Sequence, residues 1–488
     1  MGLFYFCIMN GNGKYEAVIG LEVHAQLQTQ SKLFSGDSAS FGAEPNTHIS
    51  PITLGHPGTL PKTNKKAVEY AVKMGLACHC EIERYNYFAR KNYFYADLPK
   101  GYQVSQHTTP VCKGGYVSIK TKEGEKNVKL NRIHLEEDAG KSIHDADKDY
   151  TCIDFNRAGV PLIEIVTEPD MHSAEEAFQY VTEIRKLVRW IDVCDGNMEE
   201  GSLRCDANVS VRLKGETALG TKVEVKNLNS IRNVKKAIEY EIERMIAMVE
   251  KGERILQQTR SFDAETDTTF PIRDKEEAND YRYFPEPDLT PFQLTEEFIS
   301  GIKAALPDLP NELYIRYLSL GLNEYDAKQL SDEKATADYF EQITEFSENY
   351  KAIANWMLGP LRQLVNESAV SFDKIDLHPK ALADLIKIVD EGKVNFSVAS
   401  LKILPVLLQN PEKSPLQIAM ELNLLQVSGS ADIEAWVNEV VNKLPEKVAE
   451  YKKGKKGLIG LFVGEVKKVS KGKADPKVVT QMLEEKLK

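Results

Sequence analysis

Long apolar runs are missing from this chain. No uncharged apolar stretch in its 488 residues approaches the ~20 needed to span a bilayer as a helix. Mean hydropathy is −0.37, which excludes an integral membrane helix protein. Cysteine is sparse as well: Cys7, Cys78, Cys80, Cys112, Cys152, Cys194 and Cys205 are too few for a disulfide scaffold of this length. An odd number of thiols without a basic n-region or a small-residue cleavage site leads us to expect a cytoplasmic protein with reduced cysteines. Phosphate-binding glycine motifs are also absent, with no G-x-x-x-x-G-K-[ST] loop and no G-x-G-x-x-G turn after a strand. So is the G-x-S-x-G nucleophile elbow. Cys78-His79-Cys80 has no second cysteine pair at zinc spacing. Any nucleotide chemistry must then rest on carboxylate-held metal carried by strands.

What is present is ordinary globular composition, 42% hydrophobic and 28% charged, with a net charge of −11. An acidic chain is a poor generic DNA coater, but a local basic patch can still bind nucleic acid. One exists: from Lys443 to Lys488 there are thirteen Lys against six acidic residues, a local charge of +7. Residues 1–12 read as an N-terminal extension, with Met9 an alternative start. Residues 13–290 mix strands and helices. Prolines at Pro285, Pro287 and Pro291 mark a boundary, beyond which 291–411 has helical periodicity. Pro405, Pro411 and Pro415 mark a second boundary, and 412–488 is a basic helical tail.

Four segments of the first domain carry chemistry. In Val18 to Leu27, apolar residues alternate with a face bearing Glu22 and His24, which is either a solvated strand face or a ligand pair. In Val160-Pro161-Leu162-Ile163-Glu164-Ile165-Val166 a lone carboxylate sits in an apolar run, and it needs a metal or a core cation to offset its burial. In Ile133-His134-Leu135-Glu136-Glu137-Asp138, alternation puts Glu137 with Ile133 and Leu135, and Glu136 with Asp138 on the other face. Three adjoining acids form either a polar turn or a cation site. In Leu203 to Arg212 one face is apolar and the other bears Arg204, Asp206, Asn208 and Arg212, which suits a polar ligand or water. Thr221 to Lys226 is a further strand, after which Ser230 opens an amphipathic helix closed by Gly252.

These segments, together with Arg90-Lys91-Asn92-Tyr93-Phe94-Tyr95, Lys226-Asn227-Leu228-Asn229-Ser230, Asp280-Tyr281-Arg282-Tyr283-Phe284-Pro285 and Gly457-Leu458-Ile459-Gly460, occur in one order over most of the chain. In that order the chain resembles the B-subunit family of tRNA-dependent amidotransferases. The resemblance implies an α+β fold: a curved, mostly antiparallel, glutamine-synthetase-like catalytic cradle followed by two all-helical domains. It implies a heterotrimer completed by an amidase, the A subunit, and a small C subunit. In that complex, ATP and Mg²⁺ phosphorylate the side-chain carboxylate of Glu-tRNA(Gln) or Asp-tRNA(Asn), and ammonia freed from glutamine displaces the phosphate. It further implies metal ligation by Glu22, His24, Glu137 and Glu164, and catalytic roles for Glu137, Glu164, Arg204 and Lys226. Nucleotide contacts fall on Lys91, Arg157, Arg204 and Arg282. tRNA contacts fall on Lys452, Lys453, Lys455, Lys456, Lys467, Lys468, Lys471 and Lys473. Three rival readings are a non-catalytic tRNA-binding scaffold of the same complex, a ligase for a free small molecule, and the related archaeal tRNA amidotransferase subunit, for whose extra inserted domain 488 residues leave little room. The basic tail argues against the second.

Overall fold

The computed structural model describes residues 13–144, 147, 149–274, 281–368, 370–426, 430–470 and 473–487. Residues 1–12, and Lys471 of the expected tRNA-contacting set, lie outside them. The chain divides into two units, Met1–Leu309 and Pro310–Lys488.

The first unit is built on a ten-stranded sheet. Its central strand is β1 (Tyr15–Gln26), paired antiparallel with β3 (Pro161–Thr167) on one side and with β4 (Leu203–Leu213) on the other. Beyond β3 lies β2 (Gly124–Glu137), and beyond β4 lies β5 (Val223–Lys226). Among the described residues every pair in this sheet is antiparallel except β5 with Gln258–Asp263, so the mostly antiparallel sheet expected from the sequence is present.

Strict alternation divides the sheet into two faces. Ile19, Leu21, Val23, Ala25, Ile133, Leu135, Ile163, Ile165, Cys205, Ala207, Val209, Val223 and Val225 are buried on the apolar face. Three helices form beside this sheet: α1 (Lys65–Ala77) packs on β2, α2 (Ala174–Trp190) and α3 (Ile231–Glu250) pack on each other, and α3 packs on β4. The sequence specifies α3 locally. Ser230 Oγ accepts from Asn233 N (3.1 Å), and Gly252, at φ +74°, follows its C-terminus.

The first unit runs past the expected cut at 290. Helix Glu296–Ala304 packs on α1, and Trp190 Nε1 donates to Asp308 O (2.9 Å). In the helical unit the expected cut at 411 divides elements that pack together, since Pro415–Glu421 lies against Pro379–Asp390. The basic tail has its own core, formed by Ile433, Val437, Tyr451, Phe462, Val466, Val479 and Leu483. Proline marked turns here, and helix packing set the extent of each unit. Among the described residues no helix is long and apolar enough to cross a membrane.

Candidate active site

The polar face of the sheet carries the chemistry. Register fixes what meets what: His24 lies opposite Glu164 on one side and Arg204 on the other, Glu22 lies opposite Asp206, Glu164 opposite His134, and Asn208 opposite Glu224. These residues line a cavity of about 660 Å³.

Two trios of ligand atoms form within it, each with its atoms within 4.8 Å of one another. The first is His24, Glu136 and Glu164, with His24 Nε2 3.7 Å from Glu136 Oε1 and 3.8 Å from Glu164 Oε2. The second is Glu22, Asp206 and Glu224, an all-oxygen set. Asn208 Nδ2 donates to Glu22 (3.0 Å), Lys226 Nζ to Asp206 (2.5 Å), and Thr259 Oγ1 to Glu224 (2.9 Å).

The electrostatics of the two trios differ. Burial acts to raise the pKa of Glu164, but His134, His24 and Lys91 outweigh it and hold the carboxyl well below its usual range. His134 Nε2 stands 3.2 Å from Glu164 and 3.7 Å from Glu136. Burial would lower its pKa, yet those two carboxylates push it up to about 9. Its Nδ1 is buried without a hydrogen-bond partner among the described residues. Glu22 shifts the other way, raised first by burial and then by the charge of Glu164. Burial and the neighbouring carboxylates both disfavour the charged form of Glu22, and a bound cation would offset both. The donor chemistry fits that role: an all-oxygen trio suits a hard cation such as Mg²⁺, and a trio with an imidazole suits a softer one.

Arg204 enters the cavity from β4. Its Nη2 donates to Asp138 Oδ2 (2.8 Å), while its Nε is buried without a partner among the described residues. Asp138 also accepts from Gln26 Nε2 (2.7 Å). Burial works against its charge, but Arg204 and Arg157 keep its pKa low. The guanidinium is thus fixed by one carboxylate and keeps donors for an anion.

The structure brings Glu22, His24, Lys91, Glu164, Arg204 and Lys226 together around the cavity. It does not bring Glu137, Arg157 or Arg282 there. Glu137 was assigned to the ligand set through the resemblance, but it points through the other face of β2. Lys100 Nζ donates to both its oxygens (2.5 and 2.7 Å) and Val104 N to one (2.8 Å). It lines a separate pocket of about 290 Å³ with Lys32, Arg90 and Glu286. Alternation along Ile133–Glu137 had already put Glu137 with the apolar side chains, so Glu136 is the acid that faces the cavity. Arg157 supports the site from behind, donating to Ala139 O (2.9 Å) and Gly140 O (2.6 Å). Arg282 is exposed. Sequence reasoning raised Glu136 only as one of three adjoining acids and left it, with His134 and Glu224, out of the expected ligand set. Period-two parity puts His134 with Glu136 on one face of their own strand, and cross-strand register then brings them to Glu164 and Glu224 to Asn208. In the tail, Lys452, Lys453, Lys455, Lys456, Lys467 and Lys468 are exposed. Lys473 is half-buried, with Nζ donating to Asn423 Oδ1 (3.1 Å).

Fold and site together define a catalytic cradle: an antiparallel sheet whose polar face gathers carboxylates, histidines and fixed cations in one cavity, followed in the chain by helices. The family model described as the GatB/GatE catalytic domain matches residues 17–300, and the one described as the GatB domain matches 338–487. The chain is 49% identical over 471 residues to the B subunit of the aspartyl/glutamyl-tRNA(Asn/Gln) amidotransferase of Thermodesulfovibrio yellowstonii, covering 96% of this chain and 98% of that relative. It is 47% identical over 477 residues to the protein of the same name from Persephonella marina, covering 97% and 100%. The chain belongs to the family of aspartyl/glutamyl-tRNA(Asn/Gln) amidotransferase B subunits.

Proposed function

We propose that this chain is the activating subunit of a tRNA-dependent amidotransferase, an ATP-dependent carbon–nitrogen ligase. The substrate is the side-chain carboxylate of Glu-tRNA(Gln) and/or Asp-tRNA(Asn), in keeping with the names its relatives bear. The observation that carries the reading is the pairing of two cation-competent trios with Arg204 and Lys226 in one cavity. A carboxylate does not accept ammonia at useful rates. Its oxygen attacks the γ-phosphorus of ATP, ADP leaves, ammonia then attacks the carbonyl carbon of the acyl phosphate, and inorganic phosphate departs. Phosphoryl transfer of this kind is mainly positioning and charge neutralisation.

Glu22, Asp206 and Glu224 would hold Mg²⁺, and His24, Glu136 and Glu164 a second, softer cation. Divalent cations supply neutralisation of the nucleotide oxygens. Arg204, fixed by Asp138, and Lys226, fixed by Asp206 and by Glu224 (3.0 Å), orient the transferring phosphoryl group from the protein side. The exposed tail lysines supply phosphate contacts for the tRNA. The partners are an amidase (the A subunit), which frees ammonia from glutamine, and a small C subunit. The test is co-purification with candidate amidase partners and conversion of Glu-tRNA(Gln) to Gln-tRNA(Gln). Dependence on both ATP and glutamine supports the reading. Equal conversion by an ATP-inactive Glu22→Gln complex would make the chain a scaffold.

A further inference from the structure

The cavity has a second wall that the phosphate chemistry leaves unused. Lys91, Tyr93, Tyr95, Tyr281 and Tyr283 line it alongside the acidic trios. The tyrosines come from two segments almost 190 residues apart, stitched by Asn92. Asn92 N donates to Tyr281 O (3.0 Å), and its Nδ2 donates to Arg282 O (2.8 Å) and Tyr281 O (3.2 Å). Between the two tyrosines of the second segment, Arg282 sits in the left-handed region at φ +45°. A non-glycine residue held there costs free energy, and such strain persists where surrounding contacts over-determine it.

The rings meet edge to face. Tyr93 and Tyr95 have centroids 5.7 Å apart at 69°, Tyr93 and Tyr281 6.0 Å apart at 68°, and Tyr281 and Tyr283 6.0 Å apart at 75°. In a T-shaped contact one ring's edge meets one face of its neighbour, so the four rings stand steeply to one another along the cavity wall. Lys91 Nζ lies over Tyr281 (5.0 Å) and Tyr93 (5.6 Å), holding both by cation–π contact. Tyr93 Oη donates to Gln103 Oε1 (3.3 Å), and His107 stacks on Tyr283 at 4.0 Å and 8°. A fixed aromatic wall beside two cation-competent carboxylate trios is an environment suited to a nucleotide base.

We infer that Tyr93, Tyr95, Tyr281 and Tyr283 form a stacking platform for adenine. The inference rests on the phosphate reading of the same cavity. Two ligands of that reaction present adenine, ATP and the 3′-terminal adenosine of tRNA, and the platform takes the base of one of them. Base–aromatic stacking is worth a roughly five- to hundredfold change in affinity per base.

The test measures binding to the full chain in the presence of Mg²⁺. Four probes are used: ATP, inorganic tripolyphosphate, an acceptor-stem RNA ending in adenosine, and the same RNA without that nucleotide. Tyr93→Leu and Tyr281→Leu keep bulk and lose the flat face, while Tyr93→Phe and Tyr281→Phe keep the ring. The Leu variants should weaken one adenine-bearing probe by roughly five- to hundredfold. They should leave tripolyphosphate and the shortened RNA unchanged, and the Phe variants should bind as wild type. Loss confined to ATP assigns the platform to the nucleotide, and loss confined to the adenosine-ended RNA assigns it to the tRNA end. Leu variants that bind both adenine-bearing probes normally overturn the platform. Leu variants that lose tripolyphosphate as well also overturn it, leaving the tyrosines as mere supports of cavity shape. A wild-type chain that binds adenosine-ended RNA but no tripolyphosphate would instead sink the phosphate reading.

Discussion

Replacing Glu164 by Gln keeps size and hydrogen-bonding capacity while deleting the charge at the centre of the imidazole-bearing trio. The structure sets the magnitude. His134 is raised from 6.5 to about 9 by Glu164 and Glu136 against the pull of burial, and one pKa unit corresponds to about 1.4 kcal/mol. Those carboxylates therefore stabilise the imidazolium by about 3 kcal/mol net, and Glu164 is the nearer at 3.2 Å. Glu164→Gln removes the nearer of the two carboxylates and leaves Glu136, so we expect a loss of about 1–3 kcal/mol in chelator-treated protein. The sign with pH follows. A group raised in the folded state contributes fully below its unfolded pKa of about 6.5 and loses the contribution as pH rises through about 9. Denaturant titrations from pH 6 to 9.5 should show the wild type converging on the variant. With cation present the contrast sharpens. Calorimetric titration with Mn²⁺ should show two equivalents for the wild type and one for the variant. The oxygen trio should bind no worse, because the charge of Glu164 adds to the effect of burial in raising Glu22, and the variant removes that part. Cation-dependent phosphate release should fall by roughly two orders of magnitude, since a polarising cation is worth several kcal/mol. Two equivalents at wild-type affinity with undiminished turnover would refute the argument and leave Glu164 as a core partner of His134.

Asp138→Asn removes the charge that fixes Arg204 and faces Arg157 at 3.8 Å. With Arg204 partly solvated, we expect about 2 kcal/mol of destabilisation by denaturant titration, together with a raised KM for ATP. Gly75→Ala drives a methyl group into Cys112 Sγ and against Ile82 Cδ1 (3.0 Å), so it should cost roughly 1–3 kcal/mol. A second substitution, Cys112→Ala, should restore much of that in thermal melts. Removing 430–488, a cut that spares the packed Pro415–Glu421 helix, should weaken tRNA binding and flatten its salt dependence by roughly 0.7–0.9 for each phosphate no longer neutralised. An unchanged slope across salt concentrations would show that the tail lysines are only solvated.

Much of this was legible in the chain. The alternation around Ile19–Leu27 and Leu203–Arg212 predicted β1, β4 and their polar faces, and Ser230 with Gly252 delimited α3, because strand parity and helix caps are local physics. Glu22, His24, Arg204 and Asp206 could be placed on polar faces for the same reason. The partnering of those faces is not local. That Glu22 meets Asp206 and Glu224 depends on register across three strands, and the tyrosine wall depends on Asn92 reaching residues 281 and 282. Glu137 went astray because adjacent acids look alike in a motif, whereas a pleat sends them in opposite directions. The 411 boundary went astray because proline marks a turn irrespective of which core the next helix joins.

The opposed directions of Glu136 and Glu137 carry a consequence for how this region can change over generations. One acid serves the cavity with the cation trios and the next serves the pocket of Lys100, so two sites read the same ribbon in alternate letters. Point substitutions in β2 touch one site at a time. A single-residue insertion or deletion between Ile133 and Glu137 exchanges the two sets at once, putting Glu136 into the Lys100 pocket and an apolar side chain among the carboxylates. Length changes in this strand are therefore confined to steps of two, or to the hairpin end near Gly124, where Tyr116–Thr121 pairs back on the strand and the frame can slip without reaching either site.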